Sequence, residues 1–314
     1  MDSKPFKEMM HSLRYWRQAS ASLSVPEAVR ALPPRAAHAL LPCVMVANEE
    51  AALGRLRIKA GKQRALSMLR SAAQALRTPA GQAHAVALYR VFFGAQHGPE
   101  IVTRWASQLD NVNNALRKLD TQRHVTYASH PEGTRLVAHV DVQAYRAEEG
   151  PFMHANVDNL ARIAQNPSLG DDHLGHLLLH EYSHVVLETH DHAYVGVLEH
   201  QGLHDVSPLL ALLTPSPLPA CGFRPAESDK QRRTRGSLQA MHNADSFALA
   251  TRYLAYSTEH PGFVEGVTAR TALAEPGQPV LIPVPTRPGA ACAGVPAPAS
   301  ASSPVLPGPS WRVP

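Results

Sequence analysis

The sequence predicts an α+β protein, and three observations carry that expectation. Apolar residues recur at helical spacing in "PEIVTRWASQLDNVNNALRKLDTQ" (99–122). The period then turns strand-like in "HVTYAS" and "TRLVAHVDV", and returns to helical in "DDHLGHLLLHEYSHVVLE" (171–188). A helix, a small antiparallel sheet and then a histidine-bearing helix form an α+β order rather than an alternating one.

Residues 1–80 mix Ala, Leu and Arg with scattered prolines. Within them "EEAALGRLRIKAGKQRALSMLRSAAQALRT" (49–78) reads as one or two helices, so a helical N-terminal extension is expected. The main domain is expected over 81–262. Its first helix shows a stripe of Ile101, Trp105, Leu109, Val112, Leu116 and Leu119, with Arg104, Asn114 and Lys118 opposite. The two alternating runs flank the turn signal "HPEG" and suggest a short hairpin, and "PFMHANVDNLA" adds a candidate strand. Asn-Pro-Ser and Gly-Asp-Asp then supply stop and cap chemistry for the histidine helix. After a Pro-rich connection around 208–225, "NADSFALATRYLAYST" (243–258) reads as a last helix. Residues 263–314 are dominated by Pro, Ala, Ser and Gly and are expected to form a disordered tail. A chain ending near 265 is therefore expected to fold and act.

With 314 residues and 44% hydrophobic content, the chain can bury a core in one or two domains. A net charge of +4 is partly due to "KQRRTRG" (Lys230–Gly236), read as a solvated loop. No aromatic interleaving accompanies it, so a nucleic-acid partner is not expected. Cys43, Cys221 and Cys292 are too few and too scattered for a disulfide framework. Neither an apolar signal core nor a run long enough to span a bilayer is present. The expectation is a soluble protein without a membrane partner, cytoplasmic or exported by a route that needs no signal peptide.

The chemistry concentrates in "HLLLHEYSHVVLETHDHAYVG" (176–196). His180, Glu181 and His184 form H-E-x-x-H, and four-residue spacing on a helix sets both imidazoles on one face about a turn apart. Two such nitrogens can share a zinc ion, with Glu181 beside them as base for an acidified water. The flanking leucines and valines would bury the segment, and buried imidazoles need partners. A third protein ligand must follow, from among Glu188, His190, Asp191 and His192. Glu188 lies a further turn from His180 if the helix continues. His190 has the spacing of the metzincin third histidine, but those enzymes turn at a glycine where Leu187 stands here.

"ETHDHAYVG" contains Thr189-x-Asp191-x-x-Tyr194-x-Gly196 and resembles the G-T-x-D-x-x-Y-G element of the aspzincins, the deuterolysin and peptidyl-lysine metalloendopeptidase family. "NADSF" (243–247) resembles that family's N-A-D-S-Y, and "YRVFFG" (89–94) its Y-F-G segment. The resemblance covers roughly residues 85–257. It implies a zincin-like fold and a peptide or protein substrate, with His180, His184 and Asp191 as Zn²⁺ ligands. It further implies Glu181 as general base, Tyr194 as hydrogen-bond donor to the oxyanion, and Asp245 as the substrate-binding group that favours lysine after the cut. Glu188 in place of the family's glycine and Phe247 in place of tyrosine depart from the pattern. Two other readings compete: a catalytically inactive zinc-binding module, and a metzincin-like protease using His190. Whether the chain acts in its own cell or as a delivered effector or toxin leaves no mark in the sequence.

Outside the motif, His173 and His176 continue the His180 face and are expected to be solvent-facing or hydrogen-bonded supporting groups. Glu199, His200 and His204 repeat an i, i+4 arrangement on an expected helix.

Overall fold

A computed structural model describes residues 44–45, 48–94, 100–129, 137–148, 150–165, 170–198, 202–218, 227–260, 262–273 and 278–285. The three cysteines, the "HPEG" turn, Glu199, His200 and the two chain ends fall outside them. The architecture is α+β and mostly helical, with two small sheets.

The first helix, α1 (Asn48–Ala75), follows a short strand β1 (Val44–Met45). It ends where Thr78 caps the next helix, α2 (Pro79–Phe93), by accepting from the Gly81 N–H with proline at the first turn. Then comes α3 (Glu100–Arg117), whose predicted stripe is buried throughout. Of the region expected as an N-terminal extension, residues 1–43 lie outside the described residues, while residues 48–75 join the main fold: α1 packs against α3 and against the two helices that build the site. Ile58, Ala65, Met68, Leu69 and Ala72 belong to the core. Gly61 explains how close the approach is, since a Cβ there would stand 2.9 Å from the Leu174 Cβ on the histidine helix.

The strands β2 (Val125–Ser129), β3 (Ala138–Val140) and β4 (Met153–Asn156) join β1 in the order β1-β2-β4-β3. The expected hairpin does not form. Instead β2 pairs with β4 in parallel, and β3 lies antiparallel on the far side of β4, so the sheet is mixed and, among the described residues, β3 is one of its two edge strands, opposite β1. A short helix α4 (Val142–Ala147), capped by Asp141, separates β3 from β4. The chain then continues through α5 (Val157–Gln165) to the histidine helix α6 (Gly170–Leu187).

A second sheet is built from β5 (Gly196–Leu198), β6 (Leu203–Asp205) and β7 (Leu281–Pro283), all antiparallel. Hence His204 sits on a strand, not on the helix expected there. Between β6 and β7 lie α7 (Ser207–Leu213), α8 (Asp229–Met241), α9 (Ala244–Tyr256) and α10 (Gly262–Ala272). The basic run falls on α8 rather than in a loop, and there Arg235 pairs with Glu227 and Arg232 with Asp229.

The expectation of a disordered tail from residue 263 fails over residues 263–273 and 278–285, which include α10 and β7, and the rest of that stretch lies outside the described residues. Ile282 is fully buried, Val280 and Val284 are nearly so, and Tyr253 donates to the Pro283 carbonyl at 2.6 Å. No helix among the described residues is long and apolar enough to cross a membrane.

Candidate metal centre

Helix α6 supplies the first three site residues. Its apolar neighbours Leu174, Leu178, Leu179, Tyr182 and Val185 are buried on surrounding elements, and this takes His176, His180, Glu181 and His184 inside with them. The helix stops after Leu187 because Glu188 adopts φ 56°, the left-handed conformation that ends helices and favours glycine. This is where the aspzincin pattern has glycine. The turn at Glu188, not Leu187, redirects the chain so that the following residues fold back toward the histidines.

Three donors converge as a result. His180 Nε2 and His184 Nε2 are 3.2 Å apart, and Asp191 Oδ1 lies 3.1 Å from each. Both imidazoles are held from behind: His180 Nδ1 donates to Asp245 Oδ1 at 2.5 Å, and His184 Nδ1 to the Thr189 carbonyl at 2.9 Å. With those protons on Nδ1, the two Nε2 lone pairs and the Asp191 carboxylate face one another with no donor among them, and Asp191 Oδ1 is buried without a hydrogen-bond partner. Such a triangle is repulsive unless a positive charge sits within it. Its edges suit zinc, whose bonds of about 2.0–2.2 Å place tetrahedral ligand atoms about 3.3 Å apart. The donor set of two neutral imidazoles and one carboxylate fits the same ion. Among the described residues, His180, His184 and Asp191 are the group able to hold a metal.

The titrations point the same way. Burial opposes charge on His180, yet the Asp245 and Asp191 carboxylates outweigh it and hold the imidazole well above its ordinary value. Burial likewise opposes ionisation of Asp191, and the two imidazoles reverse that, keeping the carboxylate well below its usual range. The metal-free triangle thus attracts a proton that a divalent cation would displace.

Glu181 projects toward the sheet, where its carboxylate accepts a hydrogen bond from the backbone of Val140 on the edge strand β3. It is 5% exposed, and burial raises its carboxyl to about 7 despite the lowering effect of His180 and His184. Tyr194 is 49% exposed at the mouth of the site, its ring stacked on that of His180 at 5.9 Å, and its hydroxyl donates to Asp191. Burial, followed by the Asp191 charge, raises its phenol above the ordinary value.

The remaining candidates lie elsewhere. The His190 and His192 side chains are exposed and outside the triangle, and Glu188 is exposed and paired with Arg146. Asp245, expected as a substrate-binding group, lies close to the metal triangle. It is buried behind His180, with Oδ1 on that imidazole and Oδ2 accepting from the Val195 N–H at 2.6 Å. His176 is buried with Nε2 3.7 Å from Asp245 Oδ1, and its ring lies 6.4 Å from that of the buried His204. Sequence reasoning missed two contributors: the Thr189 carbonyl, because backbone acceptors leave no residue signature, and the Val140 N–H, because β3 was assigned the wrong partner.

No protein-family model matches the chain, and no curated protein or solved structure matches it.

Proposed function

We propose that this chain is a zinc-dependent metalloendopeptidase of aspzincin type with a zincin-like fold. The reading is supported chiefly by the three mutually facing donors of His180, His184 and Asp191 next to a buried glutamate. Those three residues would hold the zinc, which when bound supplies Lewis acidity and brings the pKa of a water to about 7. Glu181 takes the proton of the attacking water on its carboxylate and returns it to the leaving amine. Its carboxyl titrates at about 7 in the metal-free fold, and a cation bound beside it would lower that value and favour the carboxylate that accepts the proton. The Val140 N–H holds that carboxylate in place. Tyr194, half-exposed and protonated at neutral pH, donates a hydrogen bond to the oxyanion as charge develops. The substrate peptide lies extended along β3, where backbone pairing binds it with little demand on sequence.

The test is peptide hydrolysis beside metal content for the full-length chain and two variants. Glu181→Gln is expected to retain zinc and lose at least about two orders of magnitude in turnover. Tyr194→Phe is expected to retain zinc and lose turnover as well. Zinc binding without any Glu181-dependent cleavage would instead identify an inactive zinc-binding module.

A further inference from the structure

The third ligand and Tyr194 do not belong to the helix that carries the histidines. They lie in the segment 190–195, which has no regular structure beyond a bridge from His190 to Asn243. A flexible segment could not hold a ligand atom 3.1 Å from two imidazoles without support, so its anchors decide whether the site exists.

Nearly all of the anchors come from one short stretch at the start of α9. The His190 N–H donates to the His242 carbonyl at 2.6 Å, and the Ala244 N–H donates to the His190 carbonyl at 3.1 Å. Asn243 Oδ1 accepts from both the His192 and Ala193 N–H groups at 3.0 Å, the two amides that follow Asp191. Asp245 Oδ2 accepts from the Val195 N–H, the amide that follows Tyr194, while Oδ1 holds His180. The amides that follow the ligand and the tyrosine are thus tied to Asn243 and Asp245.

The conformation of Asn243 shows where its side chain is used. It occupies the N-cap of α9, where an asparagine ordinarily accepts from the N–H groups of its own helix, yet it makes no such bond. Its Nδ2 donates to Ser246 Oγ at 3.1 Å instead, turning Oδ1 outward to the loop. Full burial of both Asn243 and Ser246 leaves no solvent to compete.

We propose that Asn243 and Asp245 are positioning residues that template the 190–195 segment. Asn243 sets the third ligand Asp191. Asp245 locks one metal-ligating imidazole and the backbone beside Tyr194 with a single carboxylate. The proposal rests on the zinc reading above, and it assigns the Asn-Ala-Asp-Ser stretch to metal-site geometry rather than to substrate choice.

Zinc affinity of the full-length chain, measured by competition with a chromophoric chelator, tests this, together with the visible spectrum of the cobalt-substituted protein and urea melts of the metal-free form. Asn243→Ala is expected to weaken zinc ten- to hundredfold, as loss of a supporting partner typically does, and to alter the cobalt spectrum. Asn243→Asp keeps an acceptor for the two amides and can take a hydrogen bond from Ser246, so it should restore affinity to within a few-fold of wild type. Asp245→Asn offers only one carbonyl oxygen for two donors and should also lose ten- to hundredfold; it carries the test if Asn243→Ala does not fold. Wild-type affinity in Asn243→Ala or in Asp245→Asn would overturn the proposal, as would equal losses in Asn243→Ala and Asn243→Asp. Failure of the wild type itself to bind zinc would sink the zinc reading instead, so the two failures are distinct.

Discussion

Removing the proposed catalytic base should make the metal-free protein more stable, and by an amount that depends on pH. Glu181 is buried, and its carboxyl titrates at about 7 in the fold against an ordinary 4.5. At about 1.4 kcal/mol for each pH unit between those values, the folded state is penalised by about 3 kcal/mol once the group is ionised in both states. The sign follows from the direction of the change. A carboxyl raised by folding imposes no penalty below pH 4.5, where it is protonated folded or unfolded. The penalty grows between pH 4.5 and 7 and is complete above. Glutamine has no charge to bury and its carbonyl can still accept from Val140. Urea unfolding of chelator-treated Glu181→Gln and wild type should therefore show a gap favouring glutamine by about 3 kcal/mol at pH 8, closing toward zero at pH 4.5. A glutamine variant no more stable than wild type at pH 8, or a gap that stays constant with pH, would refute the reasoning.

Two further outcomes concern the scaffold. A chain ending at residue 278 loses Val280, Ile282 and Val284, each worth about 1.5–3 kcal/mol when fully buried, and leaves Arg252 without its Pro285 acceptor. It should lose about 5 kcal/mol or more in urea melts, whereas a chain ending at 286 should melt like the full length; equal stability of the shorter chain would refute the role given to β7. Glu188→Gly should stabilise the protein by about 0.5–1 kcal/mol, since a side chain at φ 56° is strained and the exposed pair with Arg146 offsets little. Destabilisation by that change would show that the turn is held by the glutamate side chain.

Legibility in the sequence followed the range of the interaction. The stripe from Ile101 to Leu116 and the shared face of His180 and His184 are local, and both stand in the structure as read. Strand partners are not local: alternation identified β2 and β3, but nothing in either run specifies that β4 inserts between them. The C-terminal strand was hidden by composition, because Val280, Ile282 and Val284 alternate correctly within a stretch whose prolines dominate any average. A strand at the sheet edge tolerates Pro283, which central strands do not. The motif singles out Asp245 but not its partners, since the sequence places a residue on a helix without showing which neighbour its oxygens meet. Only the folded chain brings Val195 and His180 to the same carboxylate.

The most direct test of the account is a zinc titration of the metal-free, full-length chain alongside Asp191→Ala and His190→Ala. The structure brings Asp191 to 3.1 Å from both imidazoles and leaves the adjacent His190 side chain exposed, so the two substitutions should behave oppositely. Wild type and His190→Ala should bind zinc stoichiometrically, and Asp191→Ala should weaken binding by more than the roughly hundredfold limit for losing a supporting partner. A wild type that takes up no zinc would contradict the account, as would a site emptied by His190→Ala and kept by Asp191→Ala.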